Sequence, residues 1–381
     1  MLTDGIKFKN FKNFKNINIK KKFISSIDEN EIIKSLTKSY RYSYKKKFLK
    51  KFKKFSNFRV IGMGGSSLGA QAIYDFLRHK INKKFDFVSN LQHSQRVSKK
   101  KYVNLVISKS GNTTETIVNS NILIKKKDKN IFITENKKSY LLDLAAKLKS
   151  DIIDHNNYIG GRYSVLSEVG MVPAELMGLK PEKFKNFNYL IKNKSFVNSL
   201  IANVRSIVEF HKKRKFNSII LNYDEKSQNF FKWYQQLVAE SLGKKNKGIM
   251  PIISNMPKDN HSVMQFYLDG IKKNFFTFFY VNEINTQKIK KNSILSSHNY
   301  LKGKSVSDII FSQKKASENV FIKKKIPFRS FELKKRDEKT LGELFSFFIL
   351  ETILIAKYIG VNPYDQPSVE LIKKETKKLL I

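Results

Sequence analysis

The chain has 381 residues, 41% of them apolar, no cysteine, and 74 Lys and Arg against 32 Asp and Glu, a formal charge of +42. This is enough chain for two domains with a sizeable core, and it excludes a disordered protein, a disulfide scaffold and a thiolate metal site. The charge suggests nucleic acid first, but lysine is spread along the whole chain with Asn, Ile, Phe and Tyr, the pattern of a residue bias, so no specific nucleic-acid partner is expected and a small phosphorylated anion is the better match to the field.

Residues 1 to 55 contain KFKNFKNFKNINIKKKF and YKKKFLKKFKKF, with one expected helix from Ile27 to Tyr42. Phe and Lys mix there without a clear period, and a packing arm over the main domain is a better reading than a basic membrane anchor. Arg59 to Met63 reads as a strand, and Gly62, Gly64, Gly65, Ser66 and Ser67 lead into a helix from about Leu68 to Lys80. Glycines in such a turn let backbone amides approach an anion. A dinucleotide fold fits Gly62, Gly64 and Asp86, but Ser67 stands where that fingerprint needs a third glycine, and the Gly-Lys-Ser/Thr ending of a P-loop is absent.

After a strand at Phe85 to Val88 comes NLVISKSGNTTETIV, Asn104 to Val118, a strand at Leu105 to Ile107 followed by a hydroxyl-rich turn and a helix from about Thr114. Ser108, Ser110, Thr113 and Thr114 offer hydroxyls, Lys109 a charge, and Gly111 a bend that a Cβ would forbid, which suits a phosphate and equally an ordinary capped turn. Strands at Ile131 to Thr134 and Ile152 to Asp154 continue the alternation of a parallel sheet covered on both faces, with ligands expected at the carboxyl ends. The turn Gly160-Gly161-Arg162-Tyr163-Ser164 then presents an arginine ahead of an apolar helix reaching Leu179 and a break at Pro181.

The rhythm restarts near Ser206, with strands at Ser218 to Leu221, Ile249 to Ser254 and Phe275 to Val281, a helix at Phe230 to Leu242 and a segment at Val263 to Ile271. The expected organisation is an arm at 1–55, α/β domains at 56–204 and 205–362, and a closing loop and helix at 363–381 that complete the site. On the Phe230 helix Gln236 and Glu240 share one face, and Glu240 reads either as a partly desolvated carboxylate or as an exposed helix end. His261 follows Asp259 and Asn260 and by itself reads as structural. Phe345 to Tyr358 falls short of the roughly 18 uninterrupted apolar residues of a membrane span, being broken by Glu351 and Lys357, and the N-terminus lacks a secretory signal, so a cytoplasmic location is expected.

Six blocks, GMGGSSLG, SKSGNTTET, GGRYS, QQLVAESLGK, DNHSVMQ and NPYDQPSVELIKK, occur in an order that resembles the phosphoglucose isomerase family from about Val60 to Lys373. The first two are shared by sugar isomerase (SIS) domains generally; GGRYS and the closing block are more particular. The resemblance implies two SIS-type doubly wound parallel-sheet α/β domains, each an αβα sandwich, and reversible isomerisation of glucose 6-phosphate to fructose 6-phosphate without cofactor or metal. It implies Glu240 as the base between C1 and C2, His261 and Lys373 in ring opening, and Arg162 against the enediolate. Ser66, Ser108, Lys109, Ser110 and Thr113 would hold the phosphate, Gly65 would join them in binding substrate, and Gln236 and Gln366 would line the site. It further implies a homodimer with shared sites, the histidine coming from the neighbouring subunit and oriented by Glu115. Ser368 departs from the small residue usual at its position, the chain is shorter than most members, and the stretch before His261 lacks the usual threonines.

The chemistry is consistent with these residue types. A proton moved between adjacent carbons needs a base held over both, a fixed cation where the oxygen gathers charge, and a remote anchor that limits motion. A non-catalytic sugar-phosphate regulator would need neither Glu240 nor Lys373, and the isomerase half of an amidotransferase would lack GGRYS and the closing block.

Overall fold

The computed structural model describes residues 1–11, 31–93, 100–290 and 293–381. Its strands are β1 (Ile6–Lys9), β2 (Asn57–Ile61), β3 (Lys84–Val88), β4 (Val103–Ile107), β5 (Lys129–Thr134), β6 (Asp151–Asp154), β7 (Asn217–Asn222), β8 (Met250–Asn255), β9 (Asn274–Val281) and β10 (Phe328–Leu333). The helices of eight residues or more are α1 (Leu68–Phe76), α2 (Thr114–Leu123), α3 (Tyr140–Lys147), α4 (Glu168–Leu176), α5 (Lys194–Lys212), α6 (Gln228–Leu242), α7 (Val306–Lys323), α8 (Glu338–Ile359) and α9 (Pro367–Leu379).

Two five-stranded sheets result, ordered β3-β2-β4-β5-β6 and β1-β10-β9-β7-β8, parallel throughout except for β1. The reason is written in the strands. Every residue of VNLVI in β4 and of NFFTFFYV in β9 is buried, as strands covered on both faces require. Successive side chains go to opposite faces: Val60, Leu105, Ile107, Ile131 and Ile133 join Ile73 and Phe76 of α1, whereas Ile61, Val106 and Phe132 join Leu123 of α2 with Leu141 and Ala145 of α3. The second sheet divides likewise, Ile219, Leu221, Phe276 and Phe278 packing with Phe321 of α7 while Ile220, Phe275 and Phe279 join the main core. The doubly wound arrangement expected from the sequence is therefore present in both halves.

The apolar run around Phe345 is a core helix. Asp337 caps α8 through the Thr340 amide at 2.8 Å, and Gly360 ends it with φ +72°. Glu351, fully buried, pairs with buried Arg329, whose Nε donates to Thr277 at 2.9 Å and whose Nη1 donates to Asn203 at 2.9 Å. Removing either partner would strand a buried charge. Among the described residues no helix is long and apolar enough to cross a membrane.

The described part of the N-terminal arm packs into the main core through Leu2, Ile6, Phe11, Leu36, Leu49 and Phe52, and it holds an element the sequence reading did not expect. Residues 12–30, with most of the basic and aromatic run and the first four residues of the helix expected from Ile27 to Tyr42, lie outside the described residues; of the described part of that helix, Glu31–Ser35 is helical. The arm also supplies a strand: β1 lies antiparallel to β10 with Ile6 opposite Leu333, and the Phe8 ring sits 4.5 Å from that of Phe331. Ile6 and Phe8 turn inward while Lys7 and Lys9 face solvent, a period-two pattern that suits a charged edge strand and keeps other chains from pairing there.

Strand order locates the site. The chain passes from β2 to β3 on one side and then returns across β2 to β4 on the other, so β2 and β4 flank a topological switch point, where open α/β sheets bind ligands. Both glycine and hydroxyl turns, Gly62 to Ser67 and Ser108 to Thr113, leave the sheet there. Helix α6 of the second half packs against α1 of the first and against the Gly64–Ser66 turn that precedes it.

Candidate active site

The turn after β2 fits only because it lacks side chains. Gly64 has φ +52°, and a Cβ there would stand 2.7 Å from Gln236 Nε2; a Cβ on Gly65 would stand 2.2 Å from the Gly161 carbonyl carbon. Three segments far apart in sequence therefore meet there, the Gly65 and Gly161 backbones directly and α6 through the Gln236 side chain. The turn after β4 is closed by the Gly111 amide donating to Ser108 O at 3.2 Å and by the Ser108 and Thr113 hydroxyls 2.8 Å apart. Thr113 is the N-cap of α2 but its side chain makes no cap bond, so the first amides of the helix, with the one hydroxyl hydrogen not spent between Ser108 and Thr113, are left as donors suited to an anion. Ser66 is half-buried, Ser108 buried and Ser110 exposed. Lys109 is engaged elsewhere: its ammonium donates to Asn157 O at 2.6 Å and pairs with Glu135 at 3.5 Å.

Arg162, 3% exposed, joins the rest. Its Nη1 donates to Glu240 Oε2 at 3.2 Å and to Gln366 Oε1 at 3.0 Å, its Nη2 to Pro363 O at 2.6 Å and Asp365 O at 3.0 Å, and its Nε to Ser241 Oγ at 2.9 Å. These five bonds match the five N–H groups of a guanidinium. The other oxygen of Glu240 accepts from Gln236 Nε2 at 2.9 Å, and the carboxylate keeps 27% of its side-chain surface exposed. Glu240 is therefore neither a free helix end nor fully buried: it is oriented at both oxygens and open on one side. Gln236 Oε1 is buried without a protein partner.

Hydrogen bonds join Arg162, Glu240, Gln236 and Gln366, the Gly64–Gly65 turn stands against Gln236 and Gly161, and Ser66 lies with Gly62 by the end of β4, where the turn holding Ser108 and Thr113 begins. Four expected residues stand apart from that set: Lys109, held by Asn157 and Glu135, Ser110, which is exposed, and His261 and Lys373. His261 ends a short 3-10 turn, Lys258–His261, with its side chain exposed. Lys373 lies on α9, which has no buried residue, and its ammonium pairs with Glu370 at 2.6 Å. Ser368 is exposed in the first turn of α9, so its hydroxyl meets no packing conflict. Glu115 is partly buried in the first turn of α2. Among the described residues no group of three or more His, Asp or Glu could hold a metal ion.

Three contributors escaped the sequence reading. The Trp233 indole donates to Arg162 O at 3.1 Å, Ser241 accepts from Arg162, and the Tyr163 hydroxyl lies 2.8 Å from Ser241 Oγ and 3.2 Å from Pro363 O. Burial pushes the Tyr163 hydroxyl up to about 12, so it remains a donor at neutral pH. Trp233 and Ser241 lie on α6 together with Gln236 and Glu240, at spacings that bring all four to one side of the helix, and that spacing was the only signal available. Lys244 adds a clamp on the closing loop through Asp365 at 2.6 Å, which holds that carboxyl below its usual range.

Residues 24–380 match the family model described as Phosphoglucose isomerase. The glucose-6-phosphate isomerase of Methanocaldococcus jannaschii is 32% identical over 349 residues, 84% of this chain and 83% of that protein. That of Mycoplasmopsis pulmonis is 32% identical over 350 residues, 84% of this chain and 82% of that protein. Among solved structures, a hypothetical protein from Thermus thermophilus superposes with TM-score 0.81 at 20% identity, over 95% of this chain and 94% of that one. A glucose-6-phosphate isomerase from Chlamydia trachomatis superposes with TM-score 0.70 at 19% identity, over 93% of this chain and 74% of that one. At these identities the structures speak for the fold alone.

Proposed function

The chain belongs to the phosphoglucose isomerase family and is an enzyme interconverting glucose 6-phosphate and fructose 6-phosphate, a step of glycolysis and gluconeogenesis; on that premise we propose how its residues divide the work. Glu240 is the base that carries the proton between C1 and C2. Arg162 stabilises the enediolate through Nη1, the one edge of its fork that faces Glu240 and Gln366 rather than the loop backbone. Guanidinium is suited to this role because it stays protonated beside a base and adds a fixed donor where charge develops. Ser108, Thr113, Ser66 and the amides of the two turns hold the phosphate, with Gly65 giving the backbone room and Ser110 at the rim. Lys109, tied to Glu135 and Asn157, contributes to the field rather than a direct contact. Gln236 orients Glu240, and Gln366 lines the far wall.

The observation that carries this reading is the pairing of Arg162 with Glu240 beside two anion-suited turns at a topological switch point. A phosphate anchored at one end fixes the sugar relative to the base at the other, which converts binding energy into rate. Conversion of fructose 6-phosphate to glucose 6-phosphate, followed by coupled reduction of a nicotinamide cofactor without added metal, tests it. Loss of turnover in Glu240→Gln with the substrate still bound supports the assignment; near-normal turnover removes it.

We further propose a cytoplasmic homodimer in which His261 of the partner subunit completes each site and Lys373 swings in with the closing helix to assist ring opening. What supports this is the exposure of His261 on a segment rich in exposed apolar side chains, with Phe266 51% and Ile271 64% exposed, together with the wholly exposed α9. The division into an arm at 1–55, domains at 56–204 and 205–362 and a closing segment at 363–381 is proposed on the same footing. The arm contributes β1 to the second sheet across that division.

A further inference from the structure

Arg162 and three groups at its back, Ser241, Tyr163 and the Pro363 carbonyl, form a closed ring. Arg162 can only donate and the Pro363 carbonyl can only accept, while Ser241 and Tyr163 each have one hydroxyl hydrogen. One assignment makes all three linking contacts hydrogen bonds: Arg162 Nε–H to Ser241 Oγ at 2.9 Å, Ser241 O–H to Tyr163 Oη at 2.8 Å, and Tyr163 O–H to Pro363 O at 3.2 Å. Arg162 Nη2 reaches the same carbonyl at 2.6 Å and closes the loop back onto the guanidinium. Every member is buried: Arg162 is 3% exposed and Tyr163 and Ser241 are at 0%. Bonds aligned head to tail in a dry interior polarise one another, and breaking one leaves its neighbours unpaired.

We propose that Ser241 and Tyr163 are positioning residues for the isomerisation: their hydroxyls lock the plane of the Arg162 fork, so that Nη1 alone is left to face the reacting carbons beside Glu240. Neither side chain touches substrate in this scheme. Both act through Arg162, and Tyr163 also ties the fork to the Pro363–Gln366 loop that supplies Gln366 to the site. The inference rests on the roles proposed above for Arg162 and Glu240, and deepens them by naming what holds the arginine in register.

The test uses full-length Ser241→Ala, Tyr163→Phe and the double variant, with Glu240→Gln in parallel, measuring kcat and KM for fructose 6-phosphate and the melting temperature of each. A misplaced catalytic cation costs about 10- to 100-fold in rate. Each single variant is therefore expected to lose about that much in kcat, with KM changed less than about three-fold. The double variant is expected to be no slower than the poorer single variant, because opening the ring at either link releases the fork. A folded Ser241→Ala or Tyr163→Phe with wild-type kcat, losses that multiply in the double variant, or an effect confined to KM would each overturn the proposal. If one variant fails to fold, the other carries the kcat and KM comparison alone. Turnover retained by Glu240→Gln defeats the base assignment itself; an inactive Glu240→Gln beside unimpaired ring variants defeats only the positioning role.

Discussion

Glu240→Gln is the sharpest perturbation available because it changes charge and basicity at almost constant shape. In the native site Arg162 donates to one oxygen of Glu240 at 3.2 Å and Gln236 to the other at 2.9 Å. A glutamine keeps one oxygen for Arg162 and presents an amide to Gln236, whose own oxygen is buried without a protein partner and becomes the acceptor once that side chain turns over. The hydrogen bonds are thus replaced one for one. What is lost from stability is the ion pair between buried Arg162 and the part-exposed Glu240, about 1–3 kcal/mol, because the guanidinium keeps its four other acceptors. What is lost from catalysis is the base, about 10²–10⁴ in rate or about 2.7–5.5 kcal/mol of barrier. The expected outcome is a variant that binds fructose 6-phosphate nearly as the parent does, melts within a few degrees of it, and turns over at least 100-fold slower. Exchange of the C2 proton of glucose 6-phosphate with D2O, followed by NMR, reads the enediol step without a coupling enzyme and should fall in parallel. A folded variant within ten-fold of the parent in both assays would refute the reasoning, and so would one whose loss lay wholly in KM.

Ser108→Ala should raise KM for the phosphorylated sugar far more than it lowers kcat, because the anchor is remote from the reacting carbons, and an equal effect on a phosphate-free aldose would show that the turn holds no phosphate. In Gly65→Ala the new methyl would stand 2.2 Å from the Gly161 carbonyl carbon, so the two loops must part: a loss of about 1–3 kcal/mol in denaturant unfolding is expected together with a fall in kcat/KM, and an unchanged midpoint would contradict the packing. Neutral His155 sits buried at 1% exposure, and burial lowers its pKa from 6.5 to about 4. The unfolded chain then binds the extra proton first, so this group leaves stability intact above pH 6.5 and withdraws up to about 3 kcal/mol as the pH falls to about 4; His155→Gln should flatten that part of the stability curve, and identical slopes would exclude it. Co-expression of Glu240→Gln with His261→Ala chains should restore activity that neither shows alone, because the mixed dimer holds one site with both residues native, whereas unshared sites would give no recovery.

Legibility in the sequence followed the range of the forces involved. The strand runs, the glycine turns after β2 and β4, the N-terminus of α2 and the face shared by Gln236 and Glu240 depend on neighbours a few residues apart, and they stand where the pattern put them. Strand β1 was not legible because a four-residue edge strand carries too few alternations to declare its period, and its partner β10 lies more than 300 residues away. Lys109 looked like a phosphate ligand until Glu135 and Asn157 were placed beside it.

The motif set and the order of strands and helices were determined by the sequence itself, since backbone conformation and hydrophobic period are local properties. That Arg162 spends four of its five hydrogens on Ser241, Pro363, Asp365 and Gln366, leaving the last on Glu240, was decided only by tertiary structure. Those partners lie 78 to 204 positions away along the chain, and a guanidinium buried at 3% exposure takes its orientation from whichever acceptors the packed core places around it.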